Sequence, residues 1–255
     1  MSEKRTHLST GEKRSDLSTT PRLYVDMPLG QGAVLTLPVP QSHYLAQVMR
    51  RAPGDFVRLF DGRSGEWAAR LLSVGRKAVE VRLEAQSAPQ EIVQDLWLCA
   101  APLKRGRIDW VAEKACELGV ARFVPLLTRR TVVDKLNLDR LRAHMVEAAE
   151  QCGRTALPNM AEPVMLSALL RDWPAGRTLI FADETGGMAM AEAFRTAAAP
   201  AAILIGPEGG FTPEERAAIR AVPGALAISL GPRILRADTA AAVAVGVWQA
   251  LAGDG

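Results

Sequence analysis

From about residue 93 onward, short apolar runs alternate with helical patterns, and no other feature of the sequence constrains its fold as strongly. "LWLCAAPL", "ARFVPLLT", "RTLIFAD", "AAILIG" and "LAISLG" read as strands. Among them, "RIDWVAEKACELGV" sets Ile108, Val111, Ala112, Ala115 and Leu118 at helical spacing, with Gly119 as a stop. "DRLRAHMVEAAEQCG" is a further helix, and the Ala-rich "DTAAAVAVGVWQALAG" closes the chain. Strands alternating with helices predict an α/β fold with a parallel sheet covered on both faces.

Three late strands end in unusual loops: "ADETGG" (182–187), "IGPEGG" (205–210) and "LGPRILRADT" (230–239). Open parallel sheets bind ligands at the carboxyl ends of their strands, so three such loops make one plausible site. In "GPEGGFTPEE", Thr212 is placed to cap the next helix, Pro213 fits its first position, and Glu215 completes a capping box. With those amides satisfied and Glu208, Glu214 and Glu215 nearby, the loop is a poor phosphate cradle. It also matches neither G-x-G-x-x-G nor the P-loop, so a neutral or cationic adenosine compound fits better than an anionic one. Read in isolation, Gly209 and Gly210 could simply turn the chain.

Residues 21–88 have a different texture. "FVRLFDG", "EWAARLLSV" and "AVEVRLEA" are strand-like and separated by Gly-containing turns. One short helix is expected in "HYLAQVMRR", capped by Ser42, with Tyr44, Leu45, Val48 and Met49 on one side. "SAPQEIVQD" reads as a linker, and residues 1–20, with few apolar side chains, as a disordered tail. The net charge of +3 is uneven, since residues 21–90 carry nine basic and six acidic groups whereas 91–255 carry eighteen and nineteen. That bias points weakly to a polyanion partner for the N-terminal part.

No apolar run reaches the length of a membrane span, and the N-terminus lacks a secretory pattern, so a cytoplasmic protein is expected. The three cysteines form no C-x-x-C pair, and three histidines are too few for a His-rich site, so no metal is expected. Cys152 reads as a buried packing thiol.

Beyond these patterns, "LIGPEGGFTPEE" and "LGPRILRADTAAAVA", with "ELGV", "EAAEQCGR" and "HYLAQVMRRAPGD…LFDG", resemble the RsmE family of ribosomal RNA uridine-N3 methyltransferases, within the SPOUT class, over residues 21–252. The resemblance implies a PUA-like RNA-binding β-barrel domain (21–88) and a trefoil-knotted α/β methyltransferase domain (93–255). It also implies S-adenosylmethionine as cofactor, a homodimer, and the 16S rRNA of the small subunit as substrate. A SPOUT enzyme acting on another RNA and a non-catalytic RNA-binding protein are the alternatives. Asp238 stands where the family more often has Glu, and Arg129 where an acid is common.

The resemblance carries over to particular residues. Arg236 of the "LR" motif, then Arg233, would stabilise charge on the target uridine, with pairing to Asp238 or to the dimer partner as the structural reading. Asp238 or Glu208 could act as base if buried, and Asp238 could instead cap the last helix. The donor would be held, largely through backbone groups, by Asp183, Glu184, Gly206, Glu208, Gly209, Gly210, Leu230, Gly231 and Leu235. RNA contacts are expected from Lys104, Arg105 and Arg107, from Arg154, and from Arg22, Arg50 and Arg51; a solvated basic turn is the alternative for the first group.

Overall fold

The structure, a computed structural model, describes residues 20–104, 106–133 and 135–253. The expected tail, Thr20 apart, and Arg105 lie outside the described residues. The chain forms two compact units that part between Glu91 and Ile92.

The first unit is a five-stranded sheet of β1 (Arg22–Tyr24), β2 (Val34–Thr36), β3 (Phe56–Phe60), β4 (Glu66–Val74) and β5 (Val79–Ala88), in the order β1-β3-β4-β5-β2. β1 and β3 run parallel and the other pairs antiparallel. Alternation along β5 buries Val79, Val81 and Leu83 against Leu45, Leu59 and Leu71. The helix starts earlier than expected, as α1 (Val39–His43), and continues as a π-helical turn over Tyr44–Val48. Ser42 is therefore no cap. It lies buried inside the helix, its Oγ donating to the Leu37 carbonyl at 3.0 Å and accepting from the Val79 amide at 3.0 Å. The wider turn also splits the expected apolar face, turning Leu45 inward and leaving Tyr44 and Val48 exposed.

The second unit holds β6 (Leu96–Ala100), α2 (Arg107–Glu117), β7 (Arg122–Leu127), α3 (Leu138–Cys152), β8 (Asn159–Met160), β9 (Val164–Met165) and α4 (Leu166–Arg171). It continues with β10 (Thr178–Ala182), β11 (Met188–Ala189), α5 (Met190–Phe194), β12 (Ala201–Ile205), α6 (Pro213–Arg220), β13 (Leu226–Ser229) and α7 (Ala237–Ala252). The strand order is β11-β13-β10-β12-β6-β7-β8, with β9 beside β7, and all described pairings are parallel. β12 is buried along its whole length, as a strand covered on both faces should be. α2 buries Ile108, Val111, Ala112, Ala115 and Cys116, and α3 ends on Gly153 in the left-handed conformation. Trp248 of α7 is fully buried and donates its indole N–H to the Ala197 carbonyl at 2.8 Å, so it anchors this unit's own core. Among the described residues no helix is long and apolar enough to cross a membrane.

Candidate functional site

β13, β10 and β12 are neighbours in the parallel sheet, so the loops that follow them leave the same edge side by side. They enclose a cavity of about 490 Å³, within the range of small-molecule sites. Asp183 and Glu184 form one wall; Gly206, Glu208, Gly209 and Gly210 form the second. Leu230, Gly231, Arg233, Leu235 and Arg236 form the third. Every residue read from the sequence as donor-binding lies on this lining, as do both candidate arginines.

α6 ties the first two walls together. Its capping box is in place: Thr212 Oγ1 accepts from the Glu215 amide at 3.2 Å, and Glu215 Oε2 accepts from the Thr212 amide at 2.9 Å. One turn apart on the same helix, Arg216 donates to Glu184 Oε1 and Arg220 to Asp183 Oδ2, each at 2.7 Å. Asp183 Oδ1 accepts from the Thr185 amide at 2.9 Å and the Thr185 hydroxyl at 2.7 Å. Burial works to raise the pKa of this carboxyl, but the bonds from Thr185 and Arg220 together outweigh it and hold the group below its ordinary value. Both Asp183 oxygens are thus used within the chain, and the residue shapes the wall.

The glycine turn is gripped on two sides. Gly210 has φ of +66°, and a Cβ there would run into Glu184 Oε1. The space is occupied by a neighbouring side chain. On the other side, Arg130 Nη1 donates to the Gly209 carbonyl at 2.5 Å, and its aliphatic stem lies 3.3 Å from where a Gly209 Cβ would stand. The Arg129 amide donates to Glu215 Oε1 at 2.8 Å. Sequence reasoning missed Arg130, Arg216 and Arg220. The available signal was position, since "TRRT" follows the carboxyl end of β7 and so leaves the same sheet edge.

Arg233 and Arg236 are exposed, and among the described residues neither side chain makes a hydrogen bond or ion pair. Asp238, offered as a base or as their partner, instead pairs with Arg107 at 3.1 Å and accepts from the Thr239 amide at 2.8 Å. It is off the cavity lining, and Arg236, not Asp238, occupies the N-cap position of α7. Glu208 is exposed, so the burial a carboxylate base would need is missing.

The remaining basic candidates divide. Lys104, Arg50 and Arg51 reach the surface or are half-buried. Arg107 is engaged by Asp238. Arg154 is buried and donates to the Cys116 carbonyl at 2.7 Å. Arg22 is buried in an ion pair with Glu66, its guanidinium 3.8 Å from the centre of the Phe60 ring. These last two hold the fold, and a phosphate could not reach them. Cys152 is exposed, contrary to expectation, whereas burial pushes the Cys99 thiol up to about 12, which leaves it inert. Among the described residues no three His, Cys, Asp or Glu side chains form a group able to hold a metal.

Comparison with known proteins bears on the whole chain. Residues 90–249 match the model of an RNA methyltransferase domain, and residues 37–84 that of an RNA methyltransferase PUA domain. "Ribosomal RNA small subunit methyltransferase E" of Synechocystis is 32% identical, over 86% of this chain and 74% of its own; that of Rickettsia conorii is 28% identical, over 88% and 93%. Among solved structures, the Neisseria gonorrhoeae ribosomal RNA small subunit methyltransferase E bound to S-adenosyl methionine superposes with a TM-score of 0.84 at 27% identity, covering 92% of this chain and 99% of that one. A Legionella pneumophila protein in complex with SAM gives 0.82 at 32% identity, covering 91% and 98%. With the three loops of "ADETGG", "IGPEGG" and "LGPRILRADT" gathered at one sheet edge, the chain belongs to the RsmE family of RNA methyltransferases.

Proposed function

We propose that this protein transfers a methyl group from S-adenosylmethionine to N3 of a uridine in the 16S rRNA of the small ribosomal subunit. The observation that carries the reading is the cavity at the carboxyl ends of β10, β12 and β13, whose lining combines the "GPEGG" and "LGPRILR" loops. Its residues suit a cationic nucleoside better than a phosphate. The first amides of α6 are taken up by its own capping box, and Glu208 supplies negative charge at the rim. Gly231, at φ of +109°, has no atom within 4 Å of where a Cβ would stand, so a flat ring can approach the chain there without meeting a side chain. When bound, S-adenosylmethionine supplies an electrophilic methyl on a cationic sulfur.

The chain's own residues do the rest. With the N3 proton passed to solvent water, negative charge spreads over the flanking uridine oxygens, and the unpaired guanidinium groups of Arg236 and Arg233 are available to meet it. A base modified on its pairing edge must be unpaired or flipped out, which suits an enzyme docking on an assembled particle. Incubation with small subunits from a strain lacking the modification, followed by mass spectrometry of the nucleosides, should show label on N3-methyluridine. Label on ribose or on another base would overturn the assignment.

For the donor, Gly210→Val is expected to weaken binding at least tenfold, about 1.4 kcal/mol. A branched side chain at positive φ is strained and would push Glu184 out of the wall. Unchanged calorimetric affinity in a folded variant would count against a donor site here.

A homodimer in the cytoplasm, with the knot of the SPOUT class, completes the reading. The connection from β12 to β13 passes over β10, the kind of crossover a C-terminal knot requires. On α7, Ala242, Val243, Gly246, Val247 and Ala250 form a stripe left partly uncovered. Small apolar residues in that pattern permit close approach of a second copy. Sedimentation should give a dimer at micromolar concentration; a fully active monomer would refute it.

A further inference from the structure

On the N-terminal unit, α1 and the π-helical turn leave a groove open to solvent. Its carbon surface comes from Val39, Pro40, Tyr44 and Val48, and its rim from His43 and Gln47. Val39 is 60% exposed, Val48 59% and Tyr44 39%. The backbone is the cause: the Met49 amide bonds to the Tyr44 carbonyl five residues back, at 2.9 Å, and only Leu45 of the turn is buried. π-turns of this kind are frequent at functional sites. Facing the helix, the turn between β4 and β5 contributes Arg76 and Lys77. No carboxylate lines the groove, and among the described residues none of its polar side chains makes a hydrogen bond or ion pair.

Apolar and aromatic surface beside two uncompensated cations is suited to single-stranded nucleic acid, where bases stack on rings and phosphates meet the cations. The charge decides between partners: the same unit carries an excess of basic groups, and exposed Arg50, held at φ of +51°, follows directly on the helical turn. An apolar protein partner would not call for that excess. We propose that this groove binds an unpaired segment of the substrate RNA, with a base stacked on Tyr44 and phosphates on Arg76 and Lys77. The proposal rests on the reading of the chain as an RNA methyltransferase and adds a recognition surface distinct from the donor cavity.

The test uses the full chain and small subunits lacking the modification. Tyr44→Ala, and separately Arg76→Ala with Lys77→Ala, should each raise KM for subunits about tenfold while kcat and the affinity for S-adenosylmethionine stay at wild-type values. Tyr44→Phe, which keeps the ring, should behave as wild type. The double substitution should also reduce the salt slope of binding by about 1.4, as expected for two single-strand phosphates. A photoreactive benzoylphenylalanine in place of Val48 should form adducts with RNA. Adducts confined to a ribosomal protein, or unchanged KM in both alanine variants while the wild type still forms N3-methyluridine, would overturn the proposal alone. Failure of the wild type to form N3-methyluridine would overturn the functional reading and the proposal with it.

Discussion

Replacing Arg236 by alanine is expected to lower kcat on small ribosomal subunits by about 10²–10³-fold, the scale for losing one preorganised donor to a developing oxyanion. Affinity for S-adenosylmethionine should change by less than about threefold, if the donor is held by backbone groups of the three loops as proposed. The physical case is one of placement. Arg236 stands at the N-cap of α7, the positive end of the helix dipole, where a cation is disfavoured. It is exposed, it lines the cavity, and among the described residues nothing compensates its charge. A guanidinium held against local electrostatics makes sense where negative charge appears during the reaction, so its stabilisation falls on the transition state more than on the ground state. Single-turnover rates separate this step from product release. Arg236→Lys should retain part of the rate, since it keeps the charge but loses the planar fork. A kcat within twofold of wild type for the alanine variant would remove Arg236 from the chemistry.

Arg22→Ala is expected to destabilise the N-terminal unit by about 3 kcal/mol, the low end for breaking a buried pair, read by urea denaturation, because it leaves a buried carboxylate with only Ser87 and the more distant Arg58. Glu66 accepts from Arg22 Nε and from Ser87 Oγ at 2.8 Å, and lies 3.6 Å from Arg58. Its side chain is only 7% exposed and that of Arg22 4%, so water is a poor replacement for the closest partner. Removing both charges together, as Arg22→Met with Glu66→Leu, should recover most of the stability, since well-packed apolar replacements of buried pairs cost little. The double variant should bind small subunits as the wild type does. Weakened binding in that folded variant would instead restore Arg22 as an RNA contact.

The contrast between these two arginines explains what the sequence could and could not convey. The parallel sheet, the capping box of α6 and the convergence of three loops all follow from local patterns: apolar periodicity, cap residues, and glycine after a strand. Whether a basic residue faces solvent is not local. Arg22 meets a carboxylate 44 positions away, and Arg107 meets Asp238 across 131. Arg154 ends against a helix carbonyl that no motif announces. All three were read as RNA contacts from sign and position along the chain, neither of which records burial. Tyr44 and Val48 were misplaced for another reason: a single five-residue hydrogen bond re-aims the helix face that ordinary helical spacing predicts.

The two arginines that α6 extends to consecutive acids carry a consequence for how this site can diverge. A change at Glu184 leaves Arg216 without its partner, and a change at Arg220 leaves a carboxylate buried with one oxygen unmet. Substitutions in the two loops are therefore not independent: drift at one position narrows what the other tolerates, and the pairs must travel together. The constraint is strongest at Asp183, whose carboxylate is fully buried, so a library that randomises the "ADETGG" loop should vary position 220 with it.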